Sequence, residues 1–202
     1  MAIRPEEFAA TLPRHVVSAG VLLTDPAGRI LMLHQAHAYP GHPAWWQIPG
    51  GLADAGEQPN VTAVRETHEE TGLLLPSALP LLAVDYRAPA DGWPAVVDFC
   101  FDAGTVGGEA VGAEAIGAGA AGAVSVGART VGVGEEVSVP ASVPASVLAV
   151  ELSAEHDDFA WRDFEQWQPY LQPEQRPWFA AVWRARTRGA VLFLNDGRQP
   201  TA

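Results

Sequence analysis

Three glutamates, Glu66, Glu69 and Glu70, are spaced three and four residues apart within one polar stretch of the sequence. On a helix, residues at these spacings lie on one face, so the three carboxylates would share a stripe. The carboxylates of such a stripe repel one another unless a cation binds among them. Clusters of carboxylate oxygens suit Mg²⁺ or Mn²⁺ rather than zinc. The pattern therefore predicts a divalent cation site, and its ordinary alternative is a solvated acidic helix face.

A glycine-rich turn that contains Gly50, Gly51 and Gly56 precedes this stretch. Glycine lets a backbone come close to a ligand, and its carbonyl and N–H groups can then contact a metal or a phosphate. Metal ions that bridge phosphate oxygens would neutralise a diphosphate in an acidic cleft and lower the pKa of an attacking water. The turn and the glutamates together predict cleavage of a phosphoanhydride.

A helix from about residue 59 to residue 71 must position the glutamates, since Pro59 suits a first helical position and Gly72 suits the residue past the end. A hairpin turn is predicted at 25–28. Apolar runs predict strands at 15–24, 30–35, 46–48, 79–86 and 95–101. Further helices are predicted at 5–12 and 174–187, and other ordered runs at 148–152, 159–162 and 190–194. These elements predict one α/β domain of mixed strands and few helices.

Residues 104–147 differ in kind from the rest of the chain, because they lack aromatic residues and leucine and consist almost entirely of small residues. Glycine and alanine bury little area, and glycine loses the most backbone entropy on ordering. We therefore expect a low-complexity, flexible insertion within a single domain that covers residues 1–202. A short solenoid of Gly/Val turns is the alternative.

The charge and cysteine content exclude several classes of function. The chain has 202 residues, 12 basic and 24 acidic, and a net charge of −12, which argues against a nucleic acid partner. All the basic residues are arginine, which excludes a Schiff-base or P-loop lysine. The one cysteine, Cys100, excludes an internal disulfide and is expected to be buried. No signal peptide or membrane-spanning run is recognised, so a soluble, cytoplasmic protein without a membrane partner is predicted.

Residues 51–73 resemble the Nudix box, Gly-x5-Glu-x7-Arg-Glu-U-x-Glu-Glu-x-Gly-U, where U is a bulky aliphatic residue. The matching residues are Gly51, Glu57, Arg65, Glu66, Glu69, Glu70, Gly72 and Leu73. Thr67 departs from the pattern at a U position, where we expect it to face the sheet and weaken packing slightly. The resemblance implies a Nudix-type α/β/α sandwich with a mixed β-sheet, interrupted by the low-complexity insertion.

The resemblance also implies a Mg²⁺-dependent hydrolase that cleaves the pyrophosphate linkage of a nucleoside diphosphate joined to another group. Glu66 and Glu70 would be the principal metal ligands, with Glu69 a further ligand. The Gly50 carbonyl would complete the coordination, and Mn²⁺ is a possible substitute for Mg²⁺. A non-catalytic module that senses or binds nucleotides is the alternative, because the family's fold also occurs without its chemistry.

The resemblance also implies residues that orient the carboxylates and a residue that accepts a proton. Arg65 would orient the catalytic carboxylates by pairing with Glu57 or Glu69, and an ordinary surface ion pair is its alternative. The family places the general base either on the helix or on a distant loop. Glu155 is the distant candidate, with a solvated loop carboxylate as its alternative.

The resemblance implies that the substrate is a small-molecule nucleotide, and the sequence leaves its identity open. Trp45, beside the glycine turn, is the best candidate for stacking on a nucleobase and Trp161 is another, although such aromatic residues more often pack in a core or loop. Pro89 lies where members acting on ADP-ribose often have proline. The tract at 153–161 instead favours nucleoside triphosphates or dinucleoside polyphosphates, to which we give slight preference. Many relatives are dimers, so a homodimer is also left open.

Overall fold

The computed structural model describes residues 3–35, 43–90, 92–106 and 150–200, and the backbone of two short strands at 124–125 and 130–131. The helices are α1 (Pro5–Ala9), α2 (Pro59–Thr71), α3 (Phe164–Trp167) and α4 (Gln175–Arg188). The strands are β1 (Val16–Thr24), β2 (Ile30–Gln35), β3 (Trp46–Gln47), β4 (Gly50–Leu52), β5 (Leu81–Arg87), β6 (Val96–Thr105), β7 (Val124–Ser125), β8 (Thr130–Val131), β9 (His156–Arg162) and β10 (Leu192–Asn195).

The main sheet is mixed, as predicted. Its central path follows the order β10-β5-β6-β1-β2-β3, with β4 paired to β1 and β9 paired to β2. β1 runs parallel to β6, with Val16 opposite Val96, and antiparallel to β2 and β4. β5 pairs antiparallel with β6 and parallel with β10. This order places the β1–β4 pair, and with it the glycine turn, near the middle of the sheet.

Helices cover both faces of the sheet, which makes the predicted three-layer sandwich. α2 contributes Ala63 to a core with Leu31 and Leu33 of β2. On the opposite face, Trp167 of α3 and Phe179 of α4 pack into a second core. Burying each such large side chain contributes about 1.5–3 kcal/mol, so these two cores hold the site-bearing elements in place.

The bounds of α2 follow from local sequence signals, and they match those predicted. Gln58 is extended, Pro59 opens the helix, and Gly72 ends it at φ 70°, a left-handed conformation that favours glycine. Thr67 is fully buried, and its hydroxyl donates to the Ala63 carbonyl at 2.7 Å. Because this bond satisfies the hydroxyl inside the helix, threonine is accommodated at the inward-facing position.

Several elements differ from those predicted, and the differences have tertiary causes. Gly50 and Gly51, predicted as part of a glycine-rich turn, form β4 with Leu52, because Gly50 lies against Gly20 of β1 so closely that a side chain would not fit. α3, with four residues, is too short to show a helical period in the sequence. The described part of the run at 148–152 is not a strand. β9 begins at His156, earlier than predicted.

The predicted insertion at 104–147 lies largely outside the described residues. Within this segment, residues 104 and 105 belong to β6, and residue 106 directly follows it. The two short strands β7 and β8 pair antiparallel with each other. The hairpin turn at 25–28 is confirmed, with the Asp25 carboxylate accepting the N–H groups of Ala27 and Arg29. Cys100 is buried, as predicted. Among the described helices, none has the length and apolar character needed to cross a membrane.

Candidate active site

An acidic cleft of about 360 Å³ lies between α2, β4 and the segment before β9. Its carboxylates come from two distant parts of the chain, since α2 supplies three of them and the segment before β9 supplies the fourth. They are Glu66, Glu69, Glu70 and Glu155. We refer to this space as the acidic cleft. The structure thus brings the predicted distant glutamate beside the predicted glutamate stripe.

Glu70 is the most deeply buried carboxylate of the acidic cleft, with 4% of the residue exposed. Its Oε2 accepts the N–H of Gly50 at 2.8 Å. Burial raises the pKa of Glu70 to about 8, the Gly50 hydrogen bond opposes this rise, and the neighbouring glutamates add to it. Its negative charge is therefore poorly compensated, and a cation in the cleft would stabilise it.

Glu66 lies directly beneath the glycine turn. A Cβ atom on Gly51 would come within 2.5 Å of the Glu66 Cδ, far inside van der Waals contact. Burial raises the pKa of Glu66, whereas its hydrogen bond to Arg65 lowers it. The turn and the carboxylate are therefore in contact only because residue 51 has no side chain.

Arg65 bridges the carboxylates rather than pairing with one of them. Its Nε and Nη2 donate to the two oxygens of Glu57, both at 2.9 Å, which is the strong bidentate arrangement. Its Nη1 donates to Glu66 and to Glu69, each at 2.9 Å, and Nη2 also donates to the Leu52 carbonyl. One guanidinium thus ties the loop before α2 to the acidic stripe.

Replacing Arg65 with methionine is expected to raise the pKa of Glu57 from about 2 towards its ordinary value of 4.5, because hydrogen bonding to Arg65 is the main cause of the lowering. A lowered folded-state pKa stabilises the protein above the unfolded-state pKa, and that stabilisation is lost as the pH falls through the folded-state value. Carbon-13 NMR titration of the glutamate carboxyls measures the change. An unchanged Glu57 pKa would assign the lowering to the Asp54 N–H and the Thr62 hydroxyl instead.

The donor set of the acidic cleft fits a hard divalent ion, although its side chains do not form a closed cage. Within residues 3–35, 43–90, 92–106 and 150–200, no three His, Cys, Asp or Glu side chains stand together as a ready-made metal site. Glu66 and Glu69 contact Arg65, and Glu70 contacts the Gly50 N–H. The available ligands are nevertheless all oxygens, the class that Mg²⁺ and Mn²⁺ prefer.

A larger, mainly apolar cleft of about 730 Å³ adjoins the acidic cleft on the α4 side of the sheet. The two share the wall formed by Trp45, Gln47 and the β4 strand. We refer to the larger space as the aromatic cleft. Its tryptophans are Trp45, Trp46, Trp93 and Trp178. Trp161, the other predicted stacking residue, is partly buried, packs against the core that contains Ala63 of α2, and lines neither cleft.

The aromatic cleft is also lined by charged residues that the sequence analysis does not single out. Asp85 and Asp98 face each other across β5 and β6, and Arg87 lies 3.5 Å from Asp85 and 2.7 Å from Asp98. Asp85 is buried and accepts the Gly197 N–H at 3.0 Å, and burial raises its pKa. The Ser18 hydroxyl donates to Asp98 at 2.6 Å. The signal that marks these residues in the sequence is charge within otherwise apolar strands.

Comparisons with known proteins relate this chain to one family. The model of the NUDIX domain matches residues 14–118. The CMP-5'-(N-acetyl-N-hydroxy-3-aminopropyl)phosphonate hydrolase of Streptomyces rubellomurinus is 41% identical over 66 residues, 31% of this chain and 32% of that protein. The ADP-ribose pyrophosphatase of Mycobacterium tuberculosis is 41% identical over 61 residues, 29% of this chain and 28% of that protein.

The solved structure of a MutT protein from Methanosarcina mazei Go1 superposes with a TM-score of 0.56 at 18% identity, over 88% of this chain and 96% of that one, which shows a common fold. The chain spans about a third or less of the length of the first curated relatives it matches. The family model, in contrast, covers just over half of the chain and includes the whole acidic helix. The chain therefore belongs to the NUDIX domain family.

Proposed function

We propose that this chain is a divalent-cation-dependent hydrolase that cleaves the pyrophosphate linkage of a nucleoside diphosphate joined to another group. The observation that carries this proposal is the shared wall between the acidic and aromatic clefts. A nucleotide has an anionic end that needs cations and an aromatic end that needs an apolar, stacking surface. The two clefts offer these surfaces side by side.

In the acidic cleft, Glu66, Glu69 and Glu70, with the Gly50 carbonyl, would hold Mg²⁺ or, in its place, Mn²⁺. When bound, the ion neutralises phosphate charge and lowers the pKa of a water molecule. Without such compensation, a diphosphate would be repelled by these carboxylates. The acidic stripe therefore contributes substrate affinity only through a cation.

The residues around the stripe have positioning and proton-accepting roles in this proposal. Arg65 holds Glu66 and Glu69 in place, and Glu57 anchors Arg65 through both its oxygens. The proton of the attacking water passes to a carboxylate of the acidic cleft. Glu155 and Glu69 are its exposed members, and Glu155 does not bond to Arg65 in the structure. We assign the general base to Glu155 on this ground.

The aromatic cleft would bind the nucleoside, with Trp45 as its stacking residue. Trp45 lies on the wall shared with the acidic cleft, and its indole N–H donates to Gln47 at 2.9 Å, which fixes the ring at the junction. A base stacked there would leave its phosphates beside the glutamates. The sequence slightly favours nucleoside triphosphates or dinucleoside polyphosphates over ADP-ribose, and the relatives include an ADP-ribose pyrophosphatase.

Product release from a panel of nucleotides tests the proposal. We expect turnover of at least one among nucleoside triphosphates, ADP-ribose and dinucleoside polyphosphates with Mg²⁺, no turnover with EDTA, and recovery with added Mn²⁺. Chromatography of the nucleotide products identifies the bond that is cleaved. Nucleotide binding by calorimetry without turnover of any compound would contradict the proposal and favour a non-catalytic binding module.

A further inference from the structure

The segment from Glu151 to His156 is bonded to the C-terminal end of α2. The Glu151 N–H donates to the Thr71 carbonyl at 2.9 Å, and the Ser153 N–H donates to the Glu70 carbonyl at 3.2 Å. The final carbonyls of a helix have no partner within the helix, so these bonds satisfy two of them. The segment is thereby held at a defined position relative to Glu70.

His156 ends this segment with its imidazole buried against the Glu70 carboxylate. Its side chain has no exposed surface, and its Nε2 lies 3.5 Å from the Glu70 Oε1. Nε2 has no hydrogen-bond partner within bonding geometry. Leaving a buried polar atom unpaired costs folding free energy. An apolar residue would fill this space without that cost, so the nitrogen requires an explanation.

The other contacts of the ring and of the carboxylate indicate how they can interact. The His156 Nδ1 lies 3.4 Å from the Ser153 hydroxyl, which can donate to it. A neutral ring that accepts at Nδ1 carries its proton on Nε2, the atom that faces Glu70. The second oxygen of Glu70, Oε2, already accepts the Gly50 N–H. A slight approach of the ring would therefore hold Glu70 through both its oxygens.

We infer that His156 is a positioning residue of the cation site, whose Nε2–H holds the Oε1 of Glu70 and so fixes the orientation of that carboxylate in the acidic cleft. The inference rests on the proposed function, because it takes Glu70 to be a metal ligand. Groups that orient metal ligands typically contribute 10–100-fold to metal affinity. His156 itself lines neither the acidic cleft nor the aromatic cleft, and it reaches the acidic cleft only through Glu70.

Two replacements of His156 separate this role from simple packing. Glutamine can place an amide N–H near the Nε2 position, whereas leucine fills a similar volume without a donor. One readout is the binding of Mn²⁺ to the nucleotide-free full chain, measured from the electron paramagnetic resonance signal of the free ion. This readout does not depend on turnover. The Mg²⁺ concentration for half-maximal rate gives a second readout.

We expect His156→Leu to weaken Mn²⁺ binding by about 10–100-fold and to raise the half-maximal Mg²⁺ concentration by a similar factor. His156→Gln should stay within about threefold of the parent protein, and the KM for nucleotide at saturating Mg²⁺ should change little in either variant. His68→Leu, at an exposed position of α2, is the matched control and should change neither readout.

Equal Mn²⁺ affinity in the parent protein and in His156→Leu would overturn the inference while leaving the proposed function intact. Equal loss in the leucine and glutamine variants would also overturn it, because packing alone would then account for both. If His156→Leu does not fold, His156→Asn replaces it, since its shorter amide does not reach Glu70 and should bind Mn²⁺ as weakly as expected for leucine. A parent protein that binds no Mn²⁺ would refute the proposed function and the inference together.

Discussion

Replacing Glu70 with glutamine is expected to lower Mg²⁺-dependent hydrolysis by about a thousand-fold, roughly 4 kcal/mol of transition-state stabilisation. The substitution puts a neutral amide in place of the most buried carboxylate of the acidic cleft, which would be ionised when it binds a cation. The fold should persist, because the amide oxygen of glutamine can still accept the Gly50 N–H that Glu70 accepts now. Initial rates at saturating nucleotide, with a thermal unfolding curve for each protein, measure both effects.

The control for this substitution is Glu165→Gln, which removes a charge from the exposed first turn of α3. It should leave the rate and the unfolding temperature close to those of the parent protein. Turnover near the parent rate in Glu70→Gln would mean that the carboxylate stripe does not hold the cation. Loss of folding in Glu70→Gln would instead show that the buried Glu70 carboxylate is required for the folded structure.

Replacing Gly51 with alanine is expected to lower activity by about a hundred-fold with a much smaller loss of stability. The new Cβ would meet the Glu66 carboxylate at 2.5–2.7 Å, so the carboxylate must move away. Displacing a reacting group by an ångström can cost about this much in rate. The backbone of Gly51 is not in a left-handed conformation, so alanine adds no backbone strain there. Steady-state kinetics and chemical denaturation measure the two effects.

The matched control is Gly28→Ala in the turn between β1 and β2. Gly28 has φ 80°, and nothing lies within 4 Å of the position a Cβ would occupy. Alanine there should lower the free energy of unfolding by about 1 kcal/mol through backbone strain and leave kcat unchanged. Gly51→Ala is therefore expected to lower mainly the rate, and Gly28→Ala mainly the free energy of unfolding. An unchanged rate in Gly51→Ala would show that the position of the Glu66 carboxylate does not limit catalysis.

Local signals made the helix that carries the acidic stripe predictable. Pro59 and Gly72 act through their own backbone preferences, so they set the bounds of α2 without help from the rest of the fold. The bounds of β2 were predictable for a similar reason, because an apolar run follows a turn that its own Asp25 carboxylate stabilises. Where an element depends on its own residues, the sequence is sufficient.

Elements that depend on distant partners were not predictable. Gly50 and Gly51 have the composition of a turn, and they form β4 only because Gly20 of β1 allows the two backbones to meet. Trp45 and Trp161 are both sequence candidates for stacking, and only its place beside the glycine turn favours Trp45. The pairing of β9 with β2 packs Trp161 against the core, while Trp45 lies between the two clefts.

The sequence by itself determined the family, the acidic helix face and the arginine that lies within it, because spacing along a helix fixes which side chains share a face. Only the tertiary structure decided how deeply Glu70 is buried, that Glu155 joins the acidic cleft, and that His156 lies against Glu70. These contacts join residues more than eighty positions apart in the chain. Strand register and burial set such contacts, and the spacing of residues within one segment predicts neither of them.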